Sequence, residues 1–329
     1  MRIKAAFLGT PQVVVPVLEV LSRMEQEIQI RVVITQPPAR SSRSSKLLAT
    51  PVDQKAQELG IPVLTPENVN DAETLNTLRA LGVQLCITAA FGQILSQEFL
   101  DLPKFGTLNI HPSLLPAWRG ASPVQRALEQ GVKQTGVSLA LTVKAMDAGP
   151  ILGQCKVDVD ETIKAPQLLE DLFKCGARLM QDLLPAYLEG RLLPRPQDPN
   201  GVTKAKKLSP EESWLSPAHT AWENHNKVRA FSGWPGTRIQ LQLGENLEDQ
   251  VELKVHTTCA SASSVDSTPT TPSSRVAFDG EALVLECLGG TKLRLLEVQV
   301  LGKKVVGSVD FWNGLKTRKL DWIQNRTTL

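Results

Sequence analysis

Asn-Ile-His-Pro-Ser-Leu-Leu-Pro-Ala-Trp-Arg-Gly is the run at residues 109–120, and it contains an amide and an imidazole two positions apart, at Asn109 and His111. On an extended strand, side chains two positions apart point to the same side, so both can face one substrate atom. Pro112 predicts the end of this strand, because proline cannot continue a hydrogen-bonded ladder. An amide donor beside a titratable donor suits a developing oxyanion, although the pair alone also fits a strand end with a hydrogen-bonded histidine.

Around this run, the first half of the sequence alternates strand and helix patterns. Apolar stretches typical of buried strands stand at residues 3–8, 28–35, 61–64, 85–89, 107–111 and 137–143. Their alternation with helical patterns predicts an α/β fold with a doubly wound parallel sheet. Ligands bind at the carboxyl ends of strands in such sheets, where Leu8, residues 89–91 and His111 are expected to converge. The first strand is followed by Gly9-Thr10-Pro11 instead of G-x-G-x-x-G, which does not support a nicotinamide cofactor.

A change of composition predicts a domain boundary in the second half of the chain. Residues 167–188 have a helical pattern, and residues 190–201 then carry three prolines and two glycines, which is typical of a linker. We therefore predict a catalytic domain at 1–189, a linker at 190–207 and a second domain at 208–329.

The second domain has the pattern of a small β-barrel. One helical pattern near residues 218–231 is followed by short strand patterns at 236–243, 251–257, 276–278, 282–287 and 293–298. Short, closely spaced strands of this kind predict a barrel with an embedded helix. The low-complexity segment 260–274 interrupts the pattern and is predicted to be a disordered loop.

The composition describes an ordinary globular protein. Hydrophobic residues make up 42 % and charged residues 21 % of the 329 positions. We find neither a membrane-length apolar run nor a signal-peptide pattern, so we expect a cytoplasmic, bacterial-type protein with no membrane contact, an organellar enzyme being the open alternative. The five cysteines are scattered without a C-x-x-C pair, and the four histidines form no H-x-x-x-H pattern, so neither a disulfide framework nor a metal site is expected.

Two further motifs accompany the run at 109–116. Thr135-Gly136-Val137 begins a predicted strand, and Met146-Asp147-Ala148-Gly149 places an aspartate 36 positions after His111. Together these motifs resemble the signature of the folate-dependent formyltransferases, in which an N-x-H-P-S-L-L-P strand end is followed by an Asp-x-Gly turn. The resemblance covers almost the whole chain and implies a Rossmann-like formyltransferase domain followed by an OB-like β-barrel domain.

The resemblance implies that Asn109, His111 and Asp147 are the catalytic residues. Asn109 is expected to donate a hydrogen bond to the oxyanion that forms during formyl transfer to an amine, and His111 to be a second donor and the acid. Asp147 is expected to pair with His111, raise its pKa and help to receive the amine proton. This chemistry needs no covalent nucleophile.

The resemblance also implies 10-formyltetrahydrofolate as a co-substrate, with no metal. A pterin is a flat, hydrogen-bonding heterocycle, and exposed backbone groups at a strand end suit it. The implied folate-binding residues are Ala89, Ala90, Phe91, Gly92, Gln93, Ile94, Leu95, Ser113, Leu114, Leu115 and Pro116.

Clusters of basic residues bear on the formyl acceptor. The net charge of +2 says little, but positive side chains gather in short runs without acidic neighbours, as on polyanion-binding surfaces. The stretches at 36–52 and 204–209 resemble those of family members that formylate methionyl-initiator tRNA, which is therefore the implied partner. The implied tRNA-binding residues are Arg40, Arg43, Lys46, Arg119, Lys204, Lys206 and Lys207.

Two other functions stay open on the sequence alone. Formyltransferases acting on a nucleotide-linked amino sugar share the catalytic half and have a related second domain, although the basic stretches favour RNA. An RNA-binding protein without chemistry, on a degenerate Rossmann scaffold, is disfavoured by the intact set of Asn109, His111 and Asp147. The chain is expected to act as a monomer.

Overall fold

The chain divides into two compact units in the computed structural model, which describes residues 2–40, 47–246, 248–261, 272–316 and 319–323. The first unit comprises Met1–Pro123, Gln134–Val159 and Leu168–Ala205. The second unit comprises Val124–Lys133, Asp160–Gln167 and Lys206–Leu329.

Strands and helices alternate through the first unit, as the sequence predicts. Its strands are β1 (Ile3–Gly9), β2 (Ile28–Ile34), β3 (Ala39–Arg40), β4 (Leu47–Leu48), β5 (Val63–Leu64), β6 (Leu85–Ala89), β7 (Thr107–His111), β8 (Arg119–Gly120), β9 (Gln134–Leu141), β10 (Ile151–Asp158) and β11 (Lys204–Ala205). The α-helices among the described residues are α1 (Val15–Arg23), α2 (Pro51–Glu58), α3 (Ala72–Ala80), α4 (Gln97–Asp101), α5 (Pro123–Glu129), α6 (Ala165–Leu188), α7 (Ala221–Ala230) and α8 (Ser308–Asn313).

A seven-stranded sheet with the order β10-β9-β7-β6-β1-β2-β5 forms the centre of the first unit. Alternate side chains of β1 enter two separate cores: Ala5 and Phe7 pack in the core that includes α1 and α6, and Ala6 and Leu8 in the core that includes α3 and α4. A strand that is apolar on both faces needs cover on both sides of the sheet. The predicted doubly wound α/β architecture is therefore confirmed.

One edge of this sheet departs from the predicted parallel arrangement. The strand β9 runs antiparallel to both β7 and β10, with Ser138 opposite His111 and Ala140 opposite Asn109. Antiparallel neighbours need no crossover helix, so residues 142–150 join β9 directly to β10. This connection carries Asp147. The alternation of apolar residues marks a strand but does not give its direction, which is why the sequence did not predict the reversal.

Residues 190–205, predicted as most of a linker, form part of the first unit. Arg195 exchanges backbone hydrogen bonds of 2.7 and 2.8 Å with Ile151, and β11 pairs in parallel with β8. Prolines and glycines indicate a break in helices and long strands, but a segment of this composition can still pack against a sheet through isolated hydrogen bonds.

A disulfide joins Cys155 of β10 to Cys175 of α6 within the first unit, across a Cα–Cα distance of 6.9 Å. The two cysteines are separated by 20 positions and belong to no recognisable spacing motif. Their proximity is therefore a property of the folded sheet and helix, which the scattered cysteine pattern did not reveal.

The second unit is a nearly closed antiparallel barrel, which confirms the predicted barrel. Its strands are β12 (Thr237–Leu243), β13 (Gln250–Ser261), β14 (Ala277–Phe278), β15 (Leu283–Glu286), β16 (Lys292–Val300), β17 (Val306–Gly307) and β18 (Leu320–Ile323). They follow the order β14-β15-β16-β13-β12-β18, with β17 beside β16. Backbone bonds from Val276 to Leu320 and from Trp322 to Ser274 join the two ends of this order. Most of the predicted low-complexity loop, residues 262–271, lies outside the described residues.

Among the described residues, the helices are all too short or too polar to cross a bilayer.

Candidate active site

Asn109 lies near the end of β7 with its side-chain amide oriented by the neighbouring strand β6. The Thr88 hydroxyl donates to Asn109 Oδ1 over 2.9 Å. Because the amide oxygen accepts this bond, the Nδ2 end is the part of the side chain that can donate to a ligand. The predicted donor role of Asn109 is thus compatible with its orientation.

His111 ends β7 and is buried, with only 4 % of its surface exposed. Its Nε2 lies 3.1 Å from the main-chain oxygen of Trp118, and its Nδ1 lies 3.7 Å from Asp147 Oδ1. A carbonyl can only accept a hydrogen bond, so Nε2 carries a hydrogen and Nδ1 is the nitrogen that exchanges protons. The Nδ1–Oδ1 separation exceeds hydrogen-bond length, so Asp147 acts on His111 through charge when the ring is protonated.

The pKa of His111 is lowered from its ordinary value because burial penalises the charged imidazolium. The Asp147 carboxylate and the hydrogen bond to Trp118 act in the opposite direction, as the sequence predicts for Asp147, but burial has the larger effect. Asp147 therefore raises the pKa of His111 as expected, but burial outweighs this effect and sets the net direction. His111 is neutral at neutral pH.

Asp147 occupies a left-handed backbone conformation, with φ at +50°. Its Oδ2 accepts a hydrogen bond of 2.8 Å from the backbone N–H of Gly120. Gly149 follows in the same turn, and a Cβ there would lie 1.7 Å from the carbonyl oxygen of Leu141. Only glycine fits this close approach, which explains the Asp-x-Gly spacing: the turn folds tightly on β9 and directs the carboxylate toward His111.

The predicted folate loop, residues 89–95, leaves β6 through two left-handed residues, Ala90 at φ +43° and Gly92 at φ +93°. Two side chains hold the carbonyl oxygen of Phe91 between them: Thr10 donates to it over 2.9 Å and Gln36 over 3.0 Å.

The residues of this loop fall into three sets by burial. Ala89, Phe91 and Leu95 are buried, Gln93 is half-buried, and Ala90, Gly92 and Ile94 are exposed. The side-chain oxygen of Gln93 accepts from the backbone of Val69 over 2.7 Å. The loop therefore presents backbone groups and one apolar side chain to solvent from a fixed base.

The second predicted folate segment, residues 113–116, is held by hydrogen bonds from its buried residues to other groups of the protein. Ser113 is fully buried and its hydroxyl donates to the carbonyl oxygen of Ala117 over 2.7 Å. Leu115 is also buried, and its N–H donates to Ser138 Oγ over 3.0 Å. Leu114 and Pro116 are half-buried. The structure thus gives Ser113 and Leu115 internal partners and leaves Leu114 and Pro116 nearer the surface.

The predicted tRNA-binding residues fall into different environments. Arg119 is half-buried and its guanidinium donates to Gln197 Oε1 over 2.6 and 3.0 Å. The remaining described members are exposed side chains, with Arg40 and Lys204 in the first unit and Lys206 and Lys207 in the second. Arg43 and Lys46 lie outside the described residues.

Sequence reasoning missed two residues that touch or orient this site. Trp118 contributes a backbone carbonyl from within the run 109–120, so its position was a signal. Gln197 acts through its side chain and carries no pattern of its own. Among the described residues, no group of three or more His, Cys, Asp or Glu side chains is arranged to hold a metal ion.

Comparison with known protein families matches both halves of the chain. Residues 1–184 match the family model described as "Formyl transferase", and residues 207–316 match "Formyl transferase, C-terminal domain". The methionyl-tRNA formyltransferase of Bacillus subtilis is 35 % identical over 313 residues, which cover 94 % of each chain. The protein of the same name from Halorhodospira halophila is 36 % identical over 314 residues, covering 95 % of this chain and 97 % of its own.

Solved structures share the fold at lower sequence identity. The N-formyltransferase from Helicobacter canadensis, in complex with folinic acid and dTDP-3-aminofucose, is 15 % identical with a TM-score of 0.63, covering 89 % of this chain and 98 % of its own. The sugar 3N-formyl transferase WlaRD, crystallised with dTDP and 5-N-formyl-THF, is 16 % identical with a TM-score of 0.62, covering 92 % of this chain and 100 % of its own. At these identities the likeness concerns the fold.

Proposed function

The chain belongs to the formyl transferase family, and we propose that it transfers the formyl group of 10-formyltetrahydrofolate to the amino group of methionyl-initiator tRNA. The support is twofold. Relatives named methionyl-tRNA formyltransferase align over 94–95 % of this chain at 35–36 % identity. In addition, Asn109 and His111 lie two positions apart on β7 and Asp147 lies 3.7 Å from His111, which supplies an amide, an imidazole and a carboxylate for acyl transfer to an amine.

The loop at 89–95 suits a folate as donor. Its exposed backbone at Ala90 and Gly92 offers hydrogen-bonding groups to a flat heterocycle, and Ile94, which is 77 % exposed, offers an apolar surface. Thr10 and Gln36 hold the loop from behind, so little ordering is needed on binding. When bound, the formyl folate supplies the one-carbon group as an activated amide.

Asn109 stabilises the oxyanion in this proposal. As the amine attacks the formyl carbon, negative charge develops on the formyl oxygen, and Nδ2 of Asn109 donates to it. Thr88 fixes the other end of the amide and so prevents a flip that would present an acceptor. One oriented donor of this kind is worth about 10²–10³ in turnover.

His111 moves the proton. Its lowered pKa keeps Nδ1 unprotonated, so this atom can accept the proton that the attacking amine loses. Asp147, 3.7 Å away, stabilises the resulting imidazolium through charge. His111 then gives the proton to the folate nitrogen as the bond to the formyl carbon breaks, which restores the neutral imidazole.

The second unit and the exposed basic residues are assigned to the RNA. Arg40, Lys204, Lys206 and Lys207 present positive charge at the surface, and phosphate contacts from such side chains position a nucleic acid. We assign catalysis to residues 1–189 and RNA binding to 208–329. A monomer is sufficient for this division, and a substrate used in translation initiation argues for the bacterial-type cytoplasm.

The convergence of Asn109, His111 and Asp147 in a chain of this family carries the proposal. It is tested by following labelled formyl from 10-formyltetrahydrofolate into methionyl-initiator tRNA, free methionine, glycinamide ribonucleotide and an amino-sugar nucleotide. We expect efficient transfer to the tRNA alone. Efficient transfer to the sugar nucleotide, with methionyl-tRNA ignored, would replace the proposal by the amino-sugar alternative. Salt-sensitive tRNA binding without transfer to any acceptor would favour a binding protein.

A further inference from the structure

Gln197 bridges the Asp147 turn to Arg119, and its side-chain amide uses every hydrogen-bonding position. Its Nε2 donates to the carbonyl oxygens of Asp147, over 2.8 Å, and Gly149, over 2.7 Å. Its Oε1 accepts from Arg119 Nε, over 3.0 Å, and from Nη2, over 2.6 Å. An amide has two donor hydrogens and two acceptor lone pairs, so this arrangement fixes the orientation of Gln197 completely.

Backbone hydrogen bonds from Ala148 to Ala145 and from Leu141 to Pro150 also hold the turn, but its side next to Gln197 borders open space. A cavity of about 390 Å³ adjoins it. The cavity is lined by Arg119, Ala148, Pro150, Pro196, Gln197, Pro199 and Val202. A wall next to open space gains no packing from that direction, so the hydrogen bonds from Gln197 limit the movement of the turn. Asp147 also sits in a left-handed conformation, which non-glycine residues keep only when their surroundings impose it.

We propose that Gln197 is a positioning residue for formyl transfer, and that Arg119 serves by orienting Gln197 instead of by contacting RNA. Gln197 holds the main chain of the Asp147 turn, and the turn sets the distance from the Asp147 carboxylate to His111 Nδ1. The inference rests on the proposed function, because its effect on kcat is measured in the formylation of methionyl-tRNA. It adds a positioning residue from residues 195–205, a segment whose composition predicts only a linker.

The position of Asp147 matters because its contact with His111 is electrostatic at 3.7 Å and has no hydrogen bond of its own to restore it. The Gly120 N–H fixes one carboxylate oxygen, but the main chain that carries the carboxylate is fixed by Gln197. A turn that relaxes away from β7 lowers the charge stabilisation of the imidazolium form of His111. The groups that bear on the pKa of His111 are Asp147, the Trp118 carbonyl and burial itself.

The direct test is Gln197→Met, which keeps the length of the side chain and removes its hydrogen bonds. We expect kcat for methionyl-tRNA to fall by about 10- to 100-fold, the range that a misplacement of about 1 Å produces. The Kd for folate should stay unchanged. The titration of His111, followed by NMR without either substrate and assigned by its loss in His111→Asn, should move to lower pH. Wild-type kcat, or an unmoved His111 titration, would overturn the proposal.

Arg119→Met provides a second variant that leaves the donors of Gln197 in place. We expect a smaller fall in kcat in the same direction, with the salt dependence of tRNA binding unchanged. Weaker tRNA binding with a shallower salt dependence and wild-type kcat would identify Arg119 as an RNA contact and contradict the proposal. This variant also decides the matter if Gln197→Met does not fold.

Gln134→Met is the matched control, because Gln134 in the same unit donates to Asp158 over 3.1 Å with both groups exposed. It should keep wild-type kcat and His111 titration. The NMR titration needs no formyl acceptor, so it tests the positioning role of Gln197 separately from the proposed function. Failure of the wild-type protein to formylate methionyl-tRNA rejects the proposed function, whereas an unmoved titration in Gln197→Met rejects the positioning role.

Discussion

The site around His111 depends on precise geometry, whereas the exposed basic side chains act through charge over longer distances. His111 is 4 % exposed, and Asn109 and Asp147 each have a partner that fixes their orientation. Lys206 and Lys207, in contrast, extend from the surface of the second unit. Acid–base chemistry and oxyanion stabilisation decay within about 1 Å of misplacement, whereas attraction of phosphates acts over about 8 Å at physiological salt.

This comparison shows which residues must be held in a precise conformation. The buried site depends on backbone conformations that few residues adopt, namely the left-handed φ of Trp118 and Asp147. The exposed lysines need no fixed rotamer, because a counterion atmosphere is displaced from many positions. Substitutions in the first region should therefore change turnover, and substitutions in the second should change affinity and its salt dependence.

The largest effect is expected for the imidazole and its carboxylate. His111→Gln should lower turnover by about 10²–10⁴, because it removes the group that accepts and returns the proton. Asp147→Asn should act in the same direction, and the double variant should be scarcely worse than His111→Gln, since the two residues act as a unit. Steady-state formylation of methionyl-tRNA measures this. His256→Gln, which removes a histidine hydrogen-bonded to Gln299 in the barrel, is the control. Additive losses would show that the two residues act independently.

A smaller effect is expected at the basic surface. Lys206→Ala combined with Lys207→Ala should raise KM for methionyl-tRNA and leave kcat unchanged. Between 50 and 200 mM salt, the double variant should lose about tenfold less affinity than the wild type, if each lysine accounts for one phosphate contact. Binding assays across this interval measure the slope. Lys174→Ala, at an exposed lysine paired with Glu170, should keep the wild-type slope. Equal slopes in all three proteins would remove the two lysines from the RNA surface.

A third effect separates folate binding from chemistry within the first unit. Thr10→Val removes the hydroxyl that donates to Phe91 O and should raise KM for the formyl folate by about 2- to 10-fold, the worth of one hydrogen bond. Turnover at saturating folate should be unaffected. Thr77→Val is the matched control, since Thr77 donates to the carbonyl of Glu73 within α3. If Thr10→Val lowered kcat and left KM alone, the assignment of the loop to folate would be wrong.

The smallest effect is a pH dependence of stability that both units share. Burial lowers the pKa of His111 in the first unit and of His225 in the second. Below about pH 6.5 the unfolded chain takes up protons that these buried imidazoles resist, so the free energy of unfolding falls as pH falls, by at most about 1.4 kcal/mol per pH unit for each. Above that pH these two groups contribute no slope. Urea unfolding between pH 7.5 and 5.5 should show a shallower decline in His225→Gln than in a variant of the exposed His219. Identical declines would contradict the burial argument.

The sequence predicted the buried strands of the first unit well because they need continuous apolar runs, but it did not predict β10, in which buried or half-buried positions alternate with exposed ones. It did not predict that β9 runs antiparallel, since strand direction leaves no mark on residue type. In the barrel, the strands before residue 300 were predicted within a few positions, but β17, α8 and β18 were not. These are short elements whose stability comes from pairing with residues distant in the sequence. The local sequence pattern does not indicate such pairing.

The residues of the candidate site also divide into those that the sequence predicted and those that it did not. Asn109 and His111 could be paired from their spacing on a strand, and Asp147 from a motif. The contacts that set the protonation and position of these residues come from backbone groups of Trp118 and Gly120, so no donor or acceptor side chain marks them in the sequence. Gln197 reaches the site from 50 positions beyond Asp147, and only the fold brings the two together.

Single-turnover formylation at saturating formyl folate and methionyl-tRNA tests the central claim most directly, because it isolates the chemical step from binding. Measured side by side at low and high salt, Asn109→Ala should react about 10²–10³ times more slowly than the wild type at both salt concentrations. The double variant Lys206→Ala/Lys207→Ala should match the wild type once saturated. A wild-type rate for Asn109→Ala, or a comparably slow rate for the saturated lysine variant, would contradict the separation of a buried catalytic site from an exposed RNA-binding surface.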